Sequence, residues 1–335
     1  MSAVTILPRR QRLQRSELAV PATSPRFFEK AARSAADVIF LDLEDAVAVR
    51  MKDEARRLTV QALNQIDWGH KTMAVRINGL DTPWALLDLV DIARHCPRLD
   101  MILLPKAGTA FDVQFVAHVL TLIEREAPRD QRIGIEVLIE TAQGVAHAPQ
   151  IAAASDRLEA MIFGVGDYSV DMQTNDPVFG TPSERYSVLT AAQPDGLRHR
   201  HWNDQWHFAM ASIVNACRAW GLRAIDGPYT NFGDAEGYLA SAQRAAALGF
   251  EGKWAIHPSQ IEPANLVFSP SQQQAAWSEQ VLEVLAAAAA KGDGAVNANG
   301  VLVDLAHGKQ ARLEDRFFKR PFPCQRHPEH DTRRS

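Results

Sequence analysis

Short runs of apolar, β-branched residues alternate with stretches of helical period along most of this chain. The runs carry few charges, which is typical of strands buried on both faces of a parallel sheet. The intervening stretches place apolar residues three and four positions apart, as one face of an amphipathic helix does. The pattern predicts eight strands, at residues 17–20, 37–41, 72–77 and 101–104, in runs ending at Glu140 and Asp167, and at 223–225 and 253–256.

Helices are expected between these strands, at residues 26–34, 52–63, 83–95, 110–127, 146–154, 206–220 and 234–248, with Gly249 placed to cap the last of them. Strand–helix alternation over about 250 residues favours a (β/α)8 TIM barrel over an open sheet. No G-x-G-x-x-G motif follows an early strand, which weakens a doubly wound alternative.

Polar groups follow seven of the eight predicted strands, and barrel active sites are built from strand ends at one face. We therefore expect a site assembled from several loops at the carboxyl ends of the strands. The polar groups are Glu44 with Asp45, Arg76, Lys106, Glu140, Asp167, Asp226 and His257.

The chain divides by composition into four parts. Residues 1–15 are expected to form a flexible basic arm, residues 16–270 a barrel, and residues 271–311 a small helical appendage beyond the barrel. That segment contains a predicted helix over 271–291 and a Gly- and Asn-rich link over 292–300. Residues 312–335 mix Arg, Lys, Pro and His with little to bury, which predicts a disordered tail. The stretch 168–205 has no clear period and is expected to be a long loop.

Composition excludes several classes of protein. The 335 residues are 46% hydrophobic and 23% charged, as in an ordinary globular protein, and the formal net charge of −4 argues against a nucleic-acid binder. No apolar run approaches the ~20 residues that span a bilayer, and no secretory signal follows the N-terminal arginines. Three widely spaced cysteines form no disulfide framework, so we expect a reducing, cytoplasmic location.

Glu140 and Asp167 are the candidate metal ligands. Two carboxylates on neighbouring strands of one sheet can share a hard divalent cation, and magnesium is usually held by one or two carboxylates with water and substrate. Manganese is a possible substitute. The alternative is that each residue is a solvated loop acid or a helix N-cap.

Several long motifs, in one order, resemble the HpcH/HpaI aldolase and citrate lyase β-subunit superfamily. They include AADVIFLDLEDAV at 35–47, VRINGLDTP at 75–83, LPK at 104–106, and the segments of Glu140 and Asp167. Three further stretches are similar to the malyl-CoA (β-methylmalyl-CoA) lyase branch: HWNDQWH at 201–207, IDGP at 225–228 and GKWAIHP at 252–258. The resemblance covers roughly residues 16–310.

The resemblance implies a TIM barrel that assembles as homotrimers or homohexamers, with residues 16–270 as the catalytic barrel and residues 271–311 as a C-terminal lid or swap segment. It also implies magnesium on Glu140 and Asp167. Arg76 would hold the carboxylate of a 2-oxo acid, for which a planar fork is suited. Asp304 corresponds to a catalytic acid that reaches the neighbouring subunit's site.

The resemblance further implies a substrate pocket lined by main chain near Gly166, Asp167, Ile256 and His257, with Lys30 on the coenzyme A side. Residues 21–25 depart from the family pattern Pro-Gly-x-Arg-Pro, because Ala22 stands at the Gly position and Ser24 at the Arg position.

The implied reaction is reversible Claisen cleavage of malyl-CoA-type thioesters to glyoxylate and acetyl-CoA or propionyl-CoA. A thioesterase acting on malyl-CoA, a citramalyl-CoA lyase, a CoA-independent metal aldolase acting on 4-hydroxy-2-oxo acids and a non-catalytic CoA-binding homologue remain alternatives. The expected partners are an acyl-CoA and a 2-oxo acid, with no nucleic acid or membrane.

Two basic residues have alternative interpretations. Lys106 could form a Schiff base with substrate, but an ion pair with a carboxylate such as Glu44 is favoured. Arg76 could bind substrate or act as a structural partner of Glu44 or Asp45.

Overall fold

A computed structural model describes residues 10, 12–174, 179–180, 183 and 185–318. The chain divides after Phe268 into two compact units, 1–268 and 269–335. The strands are β1 (Ser16–Pro21), β2 (Val38–Asp42), β3 (Thr72–Arg76), β4 (Met101–Leu104), β5 (Gly134–Ile139), β6 (Leu158–Phe163), β7 (Ser187–Leu189), β8 (Arg200–Trp202), β9 (Arg223–Asp226), β10 (Gly252–Ala255), β11 (Ala295–Ala298) and β12 (Val301–Asp304).

The helices surround the strands in the order that the sequence pattern indicates. They are α1 (Phe28–Ala32), α2 (Lys52–Gln65), α3 (Ala85–His95), α4 (Ala110–Glu126), α5 (Ala142–Ala146), α6 (Ala148–Ala152), α7 (Val165–Asp171), α8 (His207–Trp220), α9 (Ala235–Leu248), α10 (Ile261–Val267), α11 (Gln272–Ala289) and α12 (Leu305–Phe318). Gly249 ends α9 at φ 112°, a left-handed conformation that glycine adopts at little steric cost. The described helices include none with both the length and the apolar composition needed to cross a bilayer.

Eight parallel strands close into a barrel in the order β1-β2-β3-β4-β5-β6-β9-β10, with β10 pairing back to β1. The predicted TIM barrel is therefore confirmed. Because side chains alternate along a strand, every second residue faces the barrel interior. The middle of the interior is a buried apolar layer that includes Phe40, Leu103, Leu138, Ile162 and Trp254.

The structure differs from the predicted elements in three stretches. The run that was expected to continue as a strand to Asp167 ends at Phe163, so Asp167 lies on α7. The expected loop over 168–205 contains the end of α7 and the antiparallel β7–β8 hairpin. The expected link over 292–300 contains β11, which pairs with β12.

The two predicted termini are only partly described. Residues 312–318 continue α12 instead of beginning a disordered tail, and residues 319–335 lie outside the described part of the chain. Residues 1–9 and 11 of the predicted flexible arm also lie outside it. The rest of the arm differs from that expectation, because Arg12 is buried and its Nε lies 2.7 Å from Glu159 Oε2.

Residues 12–15 of the arm lie against the amino-terminal end of the barrel. Gln14 Nε2 donates to Glu17 Oε2 at 3.0 Å and to Glu136 Oε2 at 2.9 Å, so one amide bridges two acids that are 0% exposed. Arg223 donates through Nε to Gln14 Oε1 at 2.7 Å and lies 3.3 Å from Glu159. Glu159 is the extra residue of a β-bulge in β6, where the register against β5 shifts.

Burial favours the protonated form of the acids at this end. Burial raises the pKa of Glu17 well above its ordinary value, and the nearby Glu136 carboxylate raises it further. Burial also raises the pKa of Glu136. The two free oxygens, Glu17 Oε1 and Glu136 Oε1, have no hydrogen-bond partner among the described residues. One shared proton removes the repulsion between two buried carboxylates.

This proton predicts how stability depends on pH. The folded pair holds its proton above the ordinary glutamate pKa, where the unfolded chain has released it, so stability falls as pH rises. We expect the free energy of unfolding, measured with urea as the pH is raised above the ordinary glutamate pKa, to fall by up to ~1.4 kcal/mol per pH unit because of this pair. Glu17→Gln should remove the part of the slope that this pair causes, because the amide mimics the protonated acid, and should leave the part caused by Glu140, whose pKa burial raises to about 8. Glu262→Gln, at an exposed position of α10, should keep the whole slope. A slope unchanged by Glu17→Gln would contradict the assignment.

Candidate active site

Glu140 directly follows β5 and is held at the carboxyl-terminal end of the barrel interior. Its side chain is two residues beyond Leu138 of the apolar layer, so alternation places it on the same inward face. The main-chain N–H of Lys106 donates to Glu140 Oε1 at 2.9 Å. Any side chain at Gly164 would meet the Glu140 side chain, since an added Cβ would lie 2.5 Å from Oε2. The carboxylate is therefore enclosed on two sides by backbone.

Asp167 lies beside Glu140, on the next segment around the barrel. It occupies the first turn of α7, which begins just after β6 ends, and β6 pairs with β5. Its carboxylate is partly exposed, and Oδ2 lies 3.8 Å from Lys106 Nζ. Its negative charge acts on Glu140 and raises the pKa of that group. Sequence reasoning placed Asp167 at a strand end, and the structure brings it to the same barrel face through a helix.

The positive charges near Glu140 do not fully offset the cost of burying its carboxylate. Burial, followed by the charges of Glu44 and Asp167, raises the pKa of Glu140 to about 8, although Arg76 and Lys106 act in the opposite direction. A cation next to Glu140 would remove this penalty.

The carboxyl-terminal face of the barrel carries an excess of acidic groups. Five carboxylates surround three basic side chains, so the ionised cluster has two surplus negative charges. This surplus equals the charge of one divalent cation. The acids are Asp42, Glu44, Asp45, Glu140 and Asp167, and the bases are Arg76, Lys106 and Lys52.

Glu140 and Asp167 fit a magnesium ion by their chemistry. Both offer carboxylate oxygens, which hard cations such as Mg2+ and Mn2+ prefer. Among the described residues no larger group of His, Cys, Asp and Glu gathers as a metal site. A site with two carboxylates leaves positions for water and substrate, as magnesium usually does.

Arg76 ends β3 and is fixed by acidic partners on β2 and just beyond it. Its Nε and Nη2 donate to the two oxygens of Asp42 at 2.7 and 2.6 Å, and Nη1 lies 2.9 Å from Glu44 Oε2. Although burial alone would lower its pKa, the carboxylates of Asp42 and Glu44 raise it. One N–H on each terminal nitrogen is not needed for these contacts, which leaves an end-on fork directed away from Asp42.

Two aromatic rings lie beneath the guanidinium of Arg76. Its Cζ is 5.8 Å from the ring centroid of Phe40 and 5.6 Å from that of Trp254, and the two rings are 4.5 Å apart. A cation over an aromatic face is attracted by the ring quadrupole. The guanidinium of Arg76 therefore packs directly on the apolar layer of the barrel.

Lys106 is an ion-pair partner in this site. Its ammonium contacts Glu44 Oε1 and lies 3.7 Å from Asp45 Oδ2. Burial would lower the pKa of Lys106, but the hydrogen bond and charge of Glu44 raise it above its ordinary value. A Schiff-base lysine needs a neutral amine. The ion-pair alternative from the sequence is thus the one that the geometry supports.

The remaining barrel residues named from the sequence have different surroundings. Ile256 follows β10, and its N–H donates to Gln260 Oε1 at 2.8 Å. His257 is exposed and stacks on Phe232 with ring centroids 5.0 Å apart. Asp226 does not join the acidic cluster, because Lys253 Nζ lies 2.5 Å from its Oδ2.

Gly166 and Lys30 lie on helices of the barrel unit. Gly166 is in the first turn of α7, and an added Cβ would touch the ring of Phe179 at 3.5 Å. Lys30 is exposed on α1, the helix that follows β1. On that connection, the guanidinium of Arg26 covers the Phe27 ring at 4.7 Å.

Asp304 belongs to the second unit, where it ends β12 and precedes α12. Its Oδ1 accepts from the N–H of Ala306 at 2.9 Å and lies 2.9 Å from His307 Nδ1. The hydrogen bond from His307 is the largest cause that lowers the pKa of Asp304. The β11–β12 hairpin packs Ala298 and Val303 against Val281 and Ala311 of the two helices.

Sequence reasoning missed Asp42 and Trp254 as parts of the site. Both could have been found from alternation, because Asp42 lies two residues after the inward-facing Phe40, on a strand next to β3. Trp254 is inside the barrel on β10, one residue after the outward-facing Lys253.

The comparisons with known proteins agree with this geometry. The family model of the HpcH/HpaI aldolase/citrate lyase family matches residues 15–258. The chain is 46% identical over 303 residues to the L-malyl-CoA/beta-methylmalyl-CoA lyase of Cereibacter sphaeroides, covering 90% of this chain and 93% of that protein. It is 35% identical to the citrate lyase subunit beta of Leuconostoc mesenteroides subsp. cremoris, covering 88% of this chain and 89% of that one.

Among solved structures, the chain resembles the protein CitE of Mycobacterium tuberculosis in complex with magnesium, acetoacetate and coenzyme A. The identity is 30%, the TM-score is 0.66, and the match covers 91% of this chain and 97% of that one.

The Asp42–Arg76 pair yields a prediction about stability. Asp42→Asn should lower the free energy of unfolding by about 3 kcal/mol in a urea titration, because it removes one charge of a buried pair and leaves the other undercompensated. Asp45→Asn provides the matched control, since Asp45 lies 3.9 Å from the same guanidinium but its side chain is 57% exposed. It should cost less than about 0.5 kcal/mol. Equal losses of stability in the two variants would show that the hydrogen bonds between Asp42 and Arg76 do not carry the effect.

Proposed function

The chain belongs to the HpcH/HpaI aldolase/citrate lyase family, and from this premise we propose that it is a magnesium-dependent carbon–carbon lyase acting on malyl-CoA-type thioesters. The products are glyoxylate and acetyl-CoA, or propionyl-CoA when the substrate carries an additional methyl group. One observation carries the proposal: Glu140, Asp167 and the fork of Arg76 lie together on one face of the barrel. The names of the relatives at 46% identity support the same reaction.

Arg76 binds the carboxylate of glyoxylate in this proposal. Asp42 occupies Nε and one hydrogen of Nη2, and Glu44 lies next to Nη1. The end-on fork remains to form two parallel hydrogen bonds with a planar carboxylate. Because Asp42, Phe40 and Trp254 fix the guanidinium before substrate arrives, little side-chain ordering is needed on binding.

Glu140 and Asp167 hold the metal beside this carboxylate site. When bound, magnesium acts as a Lewis acid that polarises the oxygen of the 2-oxo acid and as a template that orients it. Glu140 is the more rigid ligand because backbone encloses it, whereas Asp167 is partly exposed at the start of α7.

The cleavage breaks one carbon–carbon bond and involves two proton transfers, which we assign to Asp304. Its carboxylate, whose pKa is lowered by the hydrogen bond from His307, accepts the proton of the malyl hydroxyl group. The bond to the adjacent methylene then breaks, and its electron pair forms the enolate of the thioester. Asp304 returns the proton to that carbon, which gives the methyl group of acetyl-CoA, and such acid–base catalysis is worth about 10²–10⁴-fold. Condensation in the reverse direction uses the same groups.

The acyl-CoA enters across the segments that follow β1, β6 and β10. Lys30 and Arg26 supply positive charge on the β1 side, where Ser24 replaces an arginine of the family pattern. Main chain at Gly166 and side chains at Ile256 and His257 border the pocket in this proposal. The stack of His257 on Phe232 keeps an exposed aromatic surface there.

The assembly follows from the role given to Asp304. We assign residues 271–311 as a lid whose Asp304 serves the site of a neighbouring subunit, in a homotrimer or homohexamer that works in the cytoplasm. In this arrangement the β11–β12 hairpin presents Asp304 on a regular element, which keeps the acid in a fixed orientation.

The lyase activity is tested by synthesis. The protein incubated with magnesium, acetyl-CoA and glyoxylate should form malyl-CoA, detected by mass spectrometry, and EDTA should stop the reaction. Glu140→Gln should lower the rate on the order of 10³-fold through loss of a metal ligand. Asp53→Asn, an exposed acid on α2, should leave it unchanged. Free malate would indicate thioester hydrolysis, and turnover of pyruvate with aldehydes but of no acyl-CoA would replace the lyase by an aldolase.

Asp304 is tested separately. Asp304→Ala should lower turnover about 10²–10⁴-fold while the oligomer, measured by light scattering, stays the same. Asp293→Ala removes an exposed acid from the same unit and should have no effect on either measurement. Full activity of Asp304→Ala would exclude the residue as the acid.

A further inference from the structure

Lys106 has a backbone conformation that is unusual for its residue type. Its φ is 52°, in the left-handed region that side chains other than glycine rarely adopt. The conformation directs the main-chain N–H to Glu140 Oε1 at 2.9 Å and the ammonium toward Glu44. Strained residues of this kind persist where the surroundings fix them, and they are frequent at functional sites.

The ammonium of Lys106 is next to both candidate metal ligands. Its Nζ lies 3.8 Å from Asp167 Oδ2, and its charge acts on Glu140. Of the basic side chains in the described part of the chain, Lys106 alone lies within 4 Å of the Asp167 carboxylate. Arg76, the other cation at the front of the site, contacts Asp42 and Glu44 and is held in place by them.

Lys52 does not substitute for Lys106. Its Nζ donates to the main-chain oxygens of Leu43 and Glu44 at 2.8 and 2.7 Å, behind the acidic cluster. Lys106 is in contrast one-third exposed and sits on a flexible four-carbon stem, so its head can move without displacing packed atoms.

We propose that Lys106 is a resident counter-cation, which holds the carboxylates of Glu44 and Asp167 near Glu140 when no metal is bound and yields this position to a divalent ion. The proposal deepens the function given above and rests on metal binding by Glu140 and Asp167. Lys106 acts on these ligands as a positioning residue. Its positive charge also opposes the incoming ion, so it weakens metal affinity while it preserves the metal-free site.

The test compares stability and metal binding, without activity, in Lys106→Met. Thermal unfolding is measured in EDTA and in saturating Mg2+, and affinity is measured with Mn2+ by electron paramagnetic resonance. We expect the variant to be destabilised in EDTA and largely restored by Mg2+, because the ion replaces the missing charge. Its Mn2+ affinity should increase on the order of tenfold, as expected for one unit charge a few ångströms from a divalent ion in a wet site.

Two further variants make the result specific. Lys106→Arg keeps the charge and should bind Mn2+ within about twofold of the unmodified protein. Lys71→Met also removes a lysine, but Lys71 donates to the main-chain oxygens of Ser34 and Ala36, which precede β2 at the other end of the barrel. It should lose the same stability in EDTA and in Mg2+.

Three results would overturn the proposal. One is weaker Mn2+ binding by Lys106→Met, and another is a Mg2+-induced shift no larger than that of the unmodified protein. The third is failure of both Lys106→Met and Lys106→Gln to fold with Mg2+ present, because the ion must be able to replace the charge. If Mg2+ and Mn2+ have no effect on the unmodified protein, both the proposed function and this inference are overturned. If the unmodified protein binds the ions but one of the three results above is found, only the inference is overturned.

Discussion

A closed barrel admits charge to its interior only where that charge is balanced, and this constraint governs both ends of the first unit. Burying an ion costs several kcal/mol unless partners compensate it. The middle of the barrel avoids the cost with an apolar layer around Phe40 and Trp254. At the amino-terminal end the balance is reached with arginines, a bridging amide and a shared proton. At the other end the chain leaves acids in surplus.

The surplus accounts for the placement of the proposed site at one end. Both ends hold buried carboxylates, but Glu17 and Glu136 are closed off by Gln14 and its neighbours, whereas Glu140 has the partly exposed Asp167 and Lys106 beside it. A closed cluster can gain only a proton. In the proposed function, the open one exchanges a lysine head group for a metal ion and a substrate.

Much of this architecture could be predicted from local pattern, and the failures have physical causes. The eight strands could be predicted because buried parallel strands form continuous apolar runs, and the acids after them predicted a site at that face of the barrel. Arg12 was assigned to a loose arm because its partner Glu159 is 147 residues away, a separation that no local pattern encodes. Asp42 was overlooked because its two-residue offset from Phe40 acquires meaning only when the strand is known to line a closed interior. The run toward Asp167 was extended too far, since Val165 and its neighbours suit a strand and a buried helix equally well.

The contacts of Arg12 and Gln14 also constrain the order in which the barrel can fold. Arg12 and Gln14 are among the earliest of these residues to leave the ribosome, yet their partners Glu159 and Arg223 are made much later. Residues 12–15 must therefore wait, with their arginines in water, until most of the barrel exists. Their docking is then one of the last steps of folding, so the amino-terminal end of the barrel is closed by residues made long before their partners.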